Sequence, residues 1–147
     1  MGFQYFFVFV WSVFVAASFM LGYTPVLIPY LYIFSSVLTY VLYSTDKVAA
    51  KKGEWRTPES TLHLGALLCG WPGALLAQQR LRHKTKKQSF RRVFWSTVII
   101  NITLIGGLHT TLGATYFRYG ATVSEAYVYA IFGPGLLSKI ILALTTY

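Results

Sequence analysis

The chain has 147 residues, a mean hydropathy of +0.53 and 12% charged residues, against about 25% in a soluble domain. Such a sequence holds too few charged side chains to cover the surface of a soluble fold of its size, and its apolar residues come in blocks rather than in the alternating pattern of barrel strands. We therefore predict an all-α, polytopic membrane protein with about four to five hydrophobic segments.

The net charge of +9 is concentrated in the middle of the chain, where eleven of the thirteen Lys and Arg residues lie between Lys47 and Arg92. Such a cluster predicts an anionic neighbour: the cytoplasmic membrane leaflet, a lipid phosphate or a nucleic acid. The single cysteine, Cys69, excludes an internal disulfide. It lies in an apolar stretch, where packing is the expected role.

Two uncharged segments of about 20 residues, 3–22 and 25–44, come first, and each is long enough as a helix to cross the roughly 30 Å hydrocarbon core. In the turn between them, Thr24 is expected to cap the second helix, with Pro25 in its first position. Ser35 and Ser36 are small, and they would let another helix approach this segment closely.

The third hydrophobic segment, residues 59–79, is predicted to be broken and re-entrant. Thr57 and Pro58 have the pattern of a helix cap followed by proline, and the GWPG sequence at 70–73 interrupts a helix. A straight crossing would place two strongly basic loops on opposite sides of the membrane, against the positive-inside bias. We therefore favour two half-helices that return to the same face. A kinked full span, with one basic loop outside, is the alternative.

A fourth segment, residues 90–108, carries Asn101 near its middle. An asparagine inside a bilayer needs a partner, so a hydrogen bond to another helix is its expected role. No repeat or linker divides the sequence, and residues 1–147 are expected to form a single membrane domain.

Residues 116–147 are less regular. Ser124 is expected to cap a helix over 125–132, the Gly-Pro-Gly sequence at 133–135 breaks that helix, and 136–147 resumes it. This part is either a broken final span or an interfacial helix followed by a short span.

The densest basic stretch, residues 80–92, joins the third and fourth segments. The TKKQ sequence at 85–88 has capping-box spacing and should start the next helix. Four cations then fall in its first two turns: Lys86, Lys87, Arg91 and Arg92. Positive charge there opposes the helix dipole, by about 0.3–1 kcal/mol per charge in the first turn, and a bound phosphate would make the arrangement favourable. This predicts an anion site. A solvated loop resting on lipid headgroups is the alternative.

Few side chains suit catalysis or metal binding. Glu59 and His63 are four apart and share a helix face, but no further ligands at metal-site spacing accompany them. The sequence has no GxSxG motif, no glycine-rich phosphate loop and no cysteine–histidine pattern, so we expect no metal and no cofactor. His83, between Arg82 and Lys84, is a candidate base if its imidazole is accessible and neutral.

Several short motifs in the middle of the chain resemble one family. They are Asp46-Lys47 with Ala49-Ala50, Trp55-Arg56 with Pro58-Glu59, the run Gly70 to Ala74, Gln78, and Arg82 to Thr85 with Lys87, Ser89 and Phe90. Together they are similar to the domain-of-unknown-function 1294 family of small bacterial membrane proteins, over about residues 40–101. The resemblance implies no specific activity. Some relatives carry an amino-terminal cold-shock domain that binds nucleic acid; this sequence begins directly with a membrane span.

A hairpin over the third segment would bring these motif residues to one face of the membrane. The predicted anion-binding residues are Lys47, Arg56, Arg82, His83, Lys84 and Lys87, with Asp46 and Glu59 as polar partners. No motif in the sequence identifies catalytic residues.

The sequence thus predicts a multi-pass protein of the bacterial inner membrane whose basic loops face the cytoplasm. The leading functional hypothesis is a non-enzymatic site for an anionic lipid headgroup or another phosphate group. One alternative is a membrane-embedded enzyme that acts on a lipid-borne substrate through His83 or Glu59; the other is nucleic-acid binding by the basic loop, which few aromatic residues support. The expected partners are anionic membrane lipids, and a second copy or another membrane protein is also compatible with the sequence.

Overall fold

The computed structural model describes residues 2–83 and 87–145, and every regular element in these two ranges is helical. The elements are α1 (Gly2–Met20), α2 (Leu27–Lys52), α3 (Glu59–Gly65), a π-helical turn (Ala66–Gly70), α4 (Trp71–Leu81), α5 (Gln88–Leu108), α6 (Thr111–Phe132) and α7 (Leu136–Thr145). Three stretches are long and apolar enough to cross a membrane, namely α1, α2 and the stretch from α3 to α4; α5 and α6 reach this criterion together, with a bend of 85° between them. The prediction of an all-α polytopic fold is confirmed.

The described residues form two compact units. The first unit contains residues 2–12 and 30–102, and the second contains residues 13–29 and 103–145. Helices α1, α2 and α5 each contribute residues to both units.

The first two predicted segments are helices, but their connection differs from the prediction. Gly22 adopts a left-handed backbone with φ of +76° and turns the chain after α1. Helix α2 begins at Leu27, so Thr24 is not its cap. The Thr24 side chain is buried instead and accepts a hydrogen bond from the Ser18 hydroxyl at 3.3 Å.

The break in the third segment falls at Leu68 and Cys69. Leu68 has ψ of 46° and Cys69 has φ of 67°, values that no α-helix contains. The GWPG sequence at 70–73 therefore restarts the helix, with Pro72 near the first position of α4, where its missing N–H costs no hydrogen bond.

Glycines let this broken segment lie directly on α2. A Cβ atom on Gly73 would collide with the carbonyl oxygen of Ser36, and one on Gly70 would collide with the Thr39 hydroxyl. Thr39 itself is buried. The expectation that Ser35 and Ser36 admit a second helix is confirmed, because side chains larger than glycine on α4 would push the two backbones apart.

Asn101 closes the first unit, as predicted, through hydrogen bonds between helices. Its Nδ2 donates to the carbonyl oxygen of Leu67, which directly precedes the break at Leu68 and Cys69, at 2.9 Å. The Tyr32 hydroxyl donates to Asn101 Oδ1 at 3.1 Å. The side chain therefore fastens the tip of the broken segment to α5 and α2.

Replacing Asn101 by leucine is expected to lower the free energy of unfolding by about 1–2 kcal/mol, since the Leu67 carbonyl loses its donor and the Tyr32 hydroxyl its acceptor. Tyr32→Phe removes only one of these bonds and should cost roughly half as much. Unfolding of both variants by sodium dodecyl sulfate in mixed micelles measures the difference. An Asn101→Leu protein as stable as the parent would contradict this role.

The second unit differs from the prediction for the end of the chain. Helix α6 runs without interruption from Thr111 to Phe132, and the Ser124 hydroxyl bonds to the Ala121 carbonyl inside it; the predicted cap at Ser124 is wrong. The predicted break is confirmed at Gly133, which has φ of +66°. Helix α7 follows as far as Thr145, and the last two residues of the predicted segment lie outside the described ones.

Candidate functional site

A buried carboxylate lies near the end of α2 and joins three parts of the first unit. Asp46 is fully buried, and its Oδ2 lies 2.6 Å from His83 Nε2. Its Oδ1 accepts the backbone N–H of Thr57 at 3.1 Å and lies 3.5 Å from Arg56 Nε. The Asp46 side chain of α2 thus contacts His83, which lies after the end of α4, and also Arg56 and Thr57, which lie before the start of α3. We call Asp46, Arg56, Thr57 and His83 the carboxylate clamp.

The end of α4 positions His83 for this contact. Arg82 adopts a left-handed conformation with φ of 48°, and its N–H bonds to the Gln79 carbonyl at 3.3 Å. The His83 N–H bonds to the Gln78 carbonyl at 3.2 Å. This pair of bonds is the Schellman motif that ends a helix and reverses the chain. The reversal turns His83 back toward Asp46 and leaves Arg82 exposed.

The carboxylate clamp decides between the two predicted forms of the third segment. A straight helix over the 23 residues Glu59–Leu81 would separate its ends by about 35 Å. In the structure, Thr57, which precedes the segment, and His83, which follows it, bind the two oxygens of the Asp46 carboxylate. The segment is therefore a helical hairpin, although its length and apolarity alone would allow it to cross a membrane. The kinked full span is not the fold that forms.

A second ion pair lies beside the carboxylate clamp. Lys87 Nζ is 2.8 Å from Glu59 Oε2, with both side chains partly exposed. The His63 ring lies 4.2 Å from the ring of Phe90, which is buried. These contacts hold the start of α5 against α3.

The predicted anion-binding residues have different surroundings. Arg56, His83 and Lys87 come together with the predicted polar partners Asp46 and Glu59, but each contacts one of those two carboxylates. Arg82 is exposed and Lys47 is half-buried, whereas Lys84 lies outside the described residues, as does the first half of the TKKQ sequence. The sequence suggested an accessible imidazole at position 83; the structure buries it, because Asp46 draws it inward.

The pairing of Asp46 with His83 has two chemical uses. A carboxylate that holds an imidazole is part of many acid–base catalysts. Here the same carboxylate also holds the Thr57 N–H and approaches Arg56, which favours a role in fixing the fold. Over residues 2–83 and 87–145, no group of three or more His, Cys, Asp or Glu side chains is placed to hold a metal ion.

A match to a known family covers this region. Residues 36–90 match the family model described as protein of unknown function (DUF1294). The predicted family is confirmed over this segment. The DUF1294 match begins at Ser36, which contacts Gly73, and ends at Phe90, which contacts His63. It therefore includes the hairpin and the whole carboxylate clamp. Comparisons with curated proteins and with solved structures gave no match.

A groove on α5, mostly beyond the DUF1294 match, was not predicted as a unit. It is a shallow depression of about 440 Å³ that is largely open to its surroundings, and it is lined by Gln88, Arg91, Arg92, Trp95, Ser96 and Ile99. Both arginines are exposed and Trp95 is half-buried. These positions lie on one face of a helix, so the spacing is visible in the sequence. From the sequence alone, the position of Arg91 and Arg92 near a helix start predicts an anion at that helix end and does not indicate a groove along the helix face.

Proposed function

We propose that this protein is a multi-pass protein of the bacterial inner membrane that binds the phosphate group of an anionic lipid in the α5 groove. We move the predicted anion site away from Arg56, His83 and Lys87, because each of these side chains already contacts Asp46 or Glu59. Arg91 and Arg92 have no acidic side chain within 4.0 Å in the described part of the chain. They are therefore the cations best placed to receive an external anion.

The observation that carries the proposal is the amphiphilic lining of the α5 groove. Arg91 and Arg92 lie at one end of its helical face, with Trp95 in the next turn and Ile99 beyond it. A guanidinium group binds phosphate oxygens through two parallel N–H bonds, and tryptophan favours the boundary between headgroups and acyl chains. A phospholipid whose phosphate contacts the arginines would lay its acyl chain along Trp95 and Ile99.

The orientation follows from the same charges. Exposed Arg80, Arg82, Arg91 and Arg92 lie around the hairpin ends and the start of α5, and basic residues beside spans face the cytoplasm. Each Lys or Arg near an anionic leaflet contributes about 1 kcal/mol to attraction. We place this face on the cytoplasmic side, where anionic lipid is available to the α5 groove.

The test compares two pairs of neutralised cations. Arg91→Gln with Arg92→Gln removes the groove charges, and Lys51→Gln with Lys52→Gln removes two exposed charges at the end of α2, so both variants lose the same net charge. We expect the arginine pair to weaken binding of phosphatidylglycerol at least tenfold, about 1.4 kcal/mol, and the lysine pair to change it less than twofold. Native mass spectrometry of lipid retention and titration with a fluorescent phosphatidylglycerol in micelles provide the measurements.

Three ligands separate the sources of the phosphate. Phosphatidylglycerol should bind, inorganic phosphate should compete only weakly because it lacks an acyl chain, and phosphatidylcholine should not be retained. Equal losses for the arginine and lysine pairs would mean that the general positive surface, rather than the α5 groove, attracts the lipid. Unchanged binding by the arginine pair would exclude the α5 groove as the site.

A further inference from the structure

Helix α6 leaves the end of α5 through a bend that the local residues build. The Thr110 side chain accepts the Gly113 N–H at 3.0 Å and donates to the Gly107 carbonyl at 2.7 Å. A Cβ atom on Gly113 would collide with that same carbonyl oxygen, so only glycine permits this approach. Helix α6 therefore starts with its own cap, at 85° to α5.

One face of α6 is polar over nearly its whole length. Six residues recur at alternating spacings of four and three: Thr111, Thr115, Arg118, Thr122, Glu125 and Tyr129. They occupy about 80° of the helix circumference, and we call them the polar stripe. As a membrane span, α6 would carry Arg118 and Glu125 into the hydrocarbon, where each charge costs at least about 2.5–3.5 kcal/mol near the centre. Helix α6 has 22 residues, which is long enough for a span, but alone it does not reach the apolarity of one.

The adjoining face of α6 is apolar, aromatic and exposed. Leu112, Tyr116, Tyr119, Val123 and Tyr127 are between 39 and 74% exposed, and we call them the tyrosine row. The third face, which includes Phe117, Ala121, Ser124 and Val128, is half-buried within the second unit. A tyrosine ring prefers the membrane interface, because its body is apolar and its hydroxyl is polar.

We propose that α6 lies in the plane of the membrane interface, with the tyrosine row in the lipid surface and the polar stripe toward water. Helix α5 has 21 residues, about 31 Å in length, which matches the thickness of the hydrocarbon core. Alone it also falls short of the apolarity of a span, but its two arginines, Arg91 and Arg92, lie near its start, where long basic side chains reach back to the interface. If α5 crosses close to the membrane normal, the bend of 85° carries α6 into the membrane plane. The partition of α6 into a polar and an apolar exposed face is that of an interfacial helix. The partner of the tyrosine row is thus the lipid surface.

Thiol labelling along α6 tests the proposal. In a Cys69→Gly background, chosen because glycine accepts the positive φ at that position, single cysteines replace Thr115, Thr122 and Tyr129 of the polar stripe. A membrane-impermeant maleimide added to one side of sealed vesicles should label all three equally and from the same side, although they extend over about 21 Å of helix. Trp55→Cys, which is exposed beside the hairpin, should label only from the opposite side.

The tyrosine row supplies the second readout. Cysteines at Leu112 and Val123 should react with the same maleimide at least tenfold more slowly than the stripe cysteines, and should not form disulfides between copies under oxidation. Labelling of Thr115 and Tyr129 from opposite sides would show α6 to be a membrane span and overturn the proposal. A disulfide between Val123→Cys chains would assign the tyrosine row to a second copy, which also overturns it.

Discussion

Asp46→Ala is expected to lower the free energy of unfolding by about 3–5 kcal/mol, because a buried hydrogen-bonding group left without its partner costs about 1–3 kcal/mol and the Asp46 carboxylate serves both His83 and Thr57. The variant leaves the buried His83 imidazole and the Thr57 N–H without their partner, and α2 contains no second carboxylate that could replace Asp46. Detergent-induced unfolding in mixed micelles measures the loss. The matched control is Lys87→Gln, which removes an ion pair between partly exposed groups and should cost less than about 1 kcal/mol.

The same variant should also change the geometry of the hairpin. Spin labels at positions 55 and 80, exposed near its two ends, should report one short distance in the parent and a broader, longer distribution in Asp46→Ala. Asp46→Asn keeps an oxygen for Thr57 but loses the negative charge. Its distance distribution should lie between those of the parent and Asp46→Ala. Equal stability of Asp46→Ala and Lys87→Gln, together with equally narrow spin-label distance distributions in the two variants, would show that the carboxylate clamp does not hold the hairpin.

Much of this architecture could be predicted, because a bilayer imposes strong and simple rules. The uncharged stretches that became α1 and α2 follow from length and apolarity alone. The hairpin could be predicted from two independent signals, the GWPG sequence and the basic residues on both sides of the third segment. Neither signal indicates which residues contact one another. The role of Asn101 was predictable for the same reason, since an amide in a bilayer must find a partner.

The contacts of the site were not predictable, because they join residues far apart in sequence. Asp46 and His83 are 37 positions apart, and no periodicity indicates that a histidine among cations turns back to a buried acid. At Thr57 the pattern of a helix cap is present, but α3 begins at Glu59 with Pro58 in the cap position. The Thr57 backbone binds Asp46 instead. Tertiary contacts thus override a local motif at the position where the carboxylate clamp forms.

The close approach of α4 to α2 gives the second large effect. Gly73→Ala is expected to lower the free energy of unfolding by about 3 kcal/mol or more, at the upper end of overpacking losses, because its Cβ would collide with backbone atoms of Ser36. Backbone on both sides must move, and no side-chain rotation relieves the clash. The matched control is Gly106→Ala in α5, where a Cβ meets no atom within 4 Å; there alanine should raise stability by up to about 1 kcal/mol.

The opposite signs of these two glycine substitutions separate packing from helix propensity. Both place alanine in a helix, so propensity alone predicts a gain at each position. A loss at Gly73 and a gain at Gly106, measured by detergent unfolding of both variants, would show that the backbone contact with Ser36 dominates. A gain at both positions would mean that the hairpin does not lie on α2 at this distance. The contact matters for the carboxylate clamp, because Ser36 and Asp46 belong to the same helix, and a hairpin displaced from Ser36 is carried away from Asp46 as well.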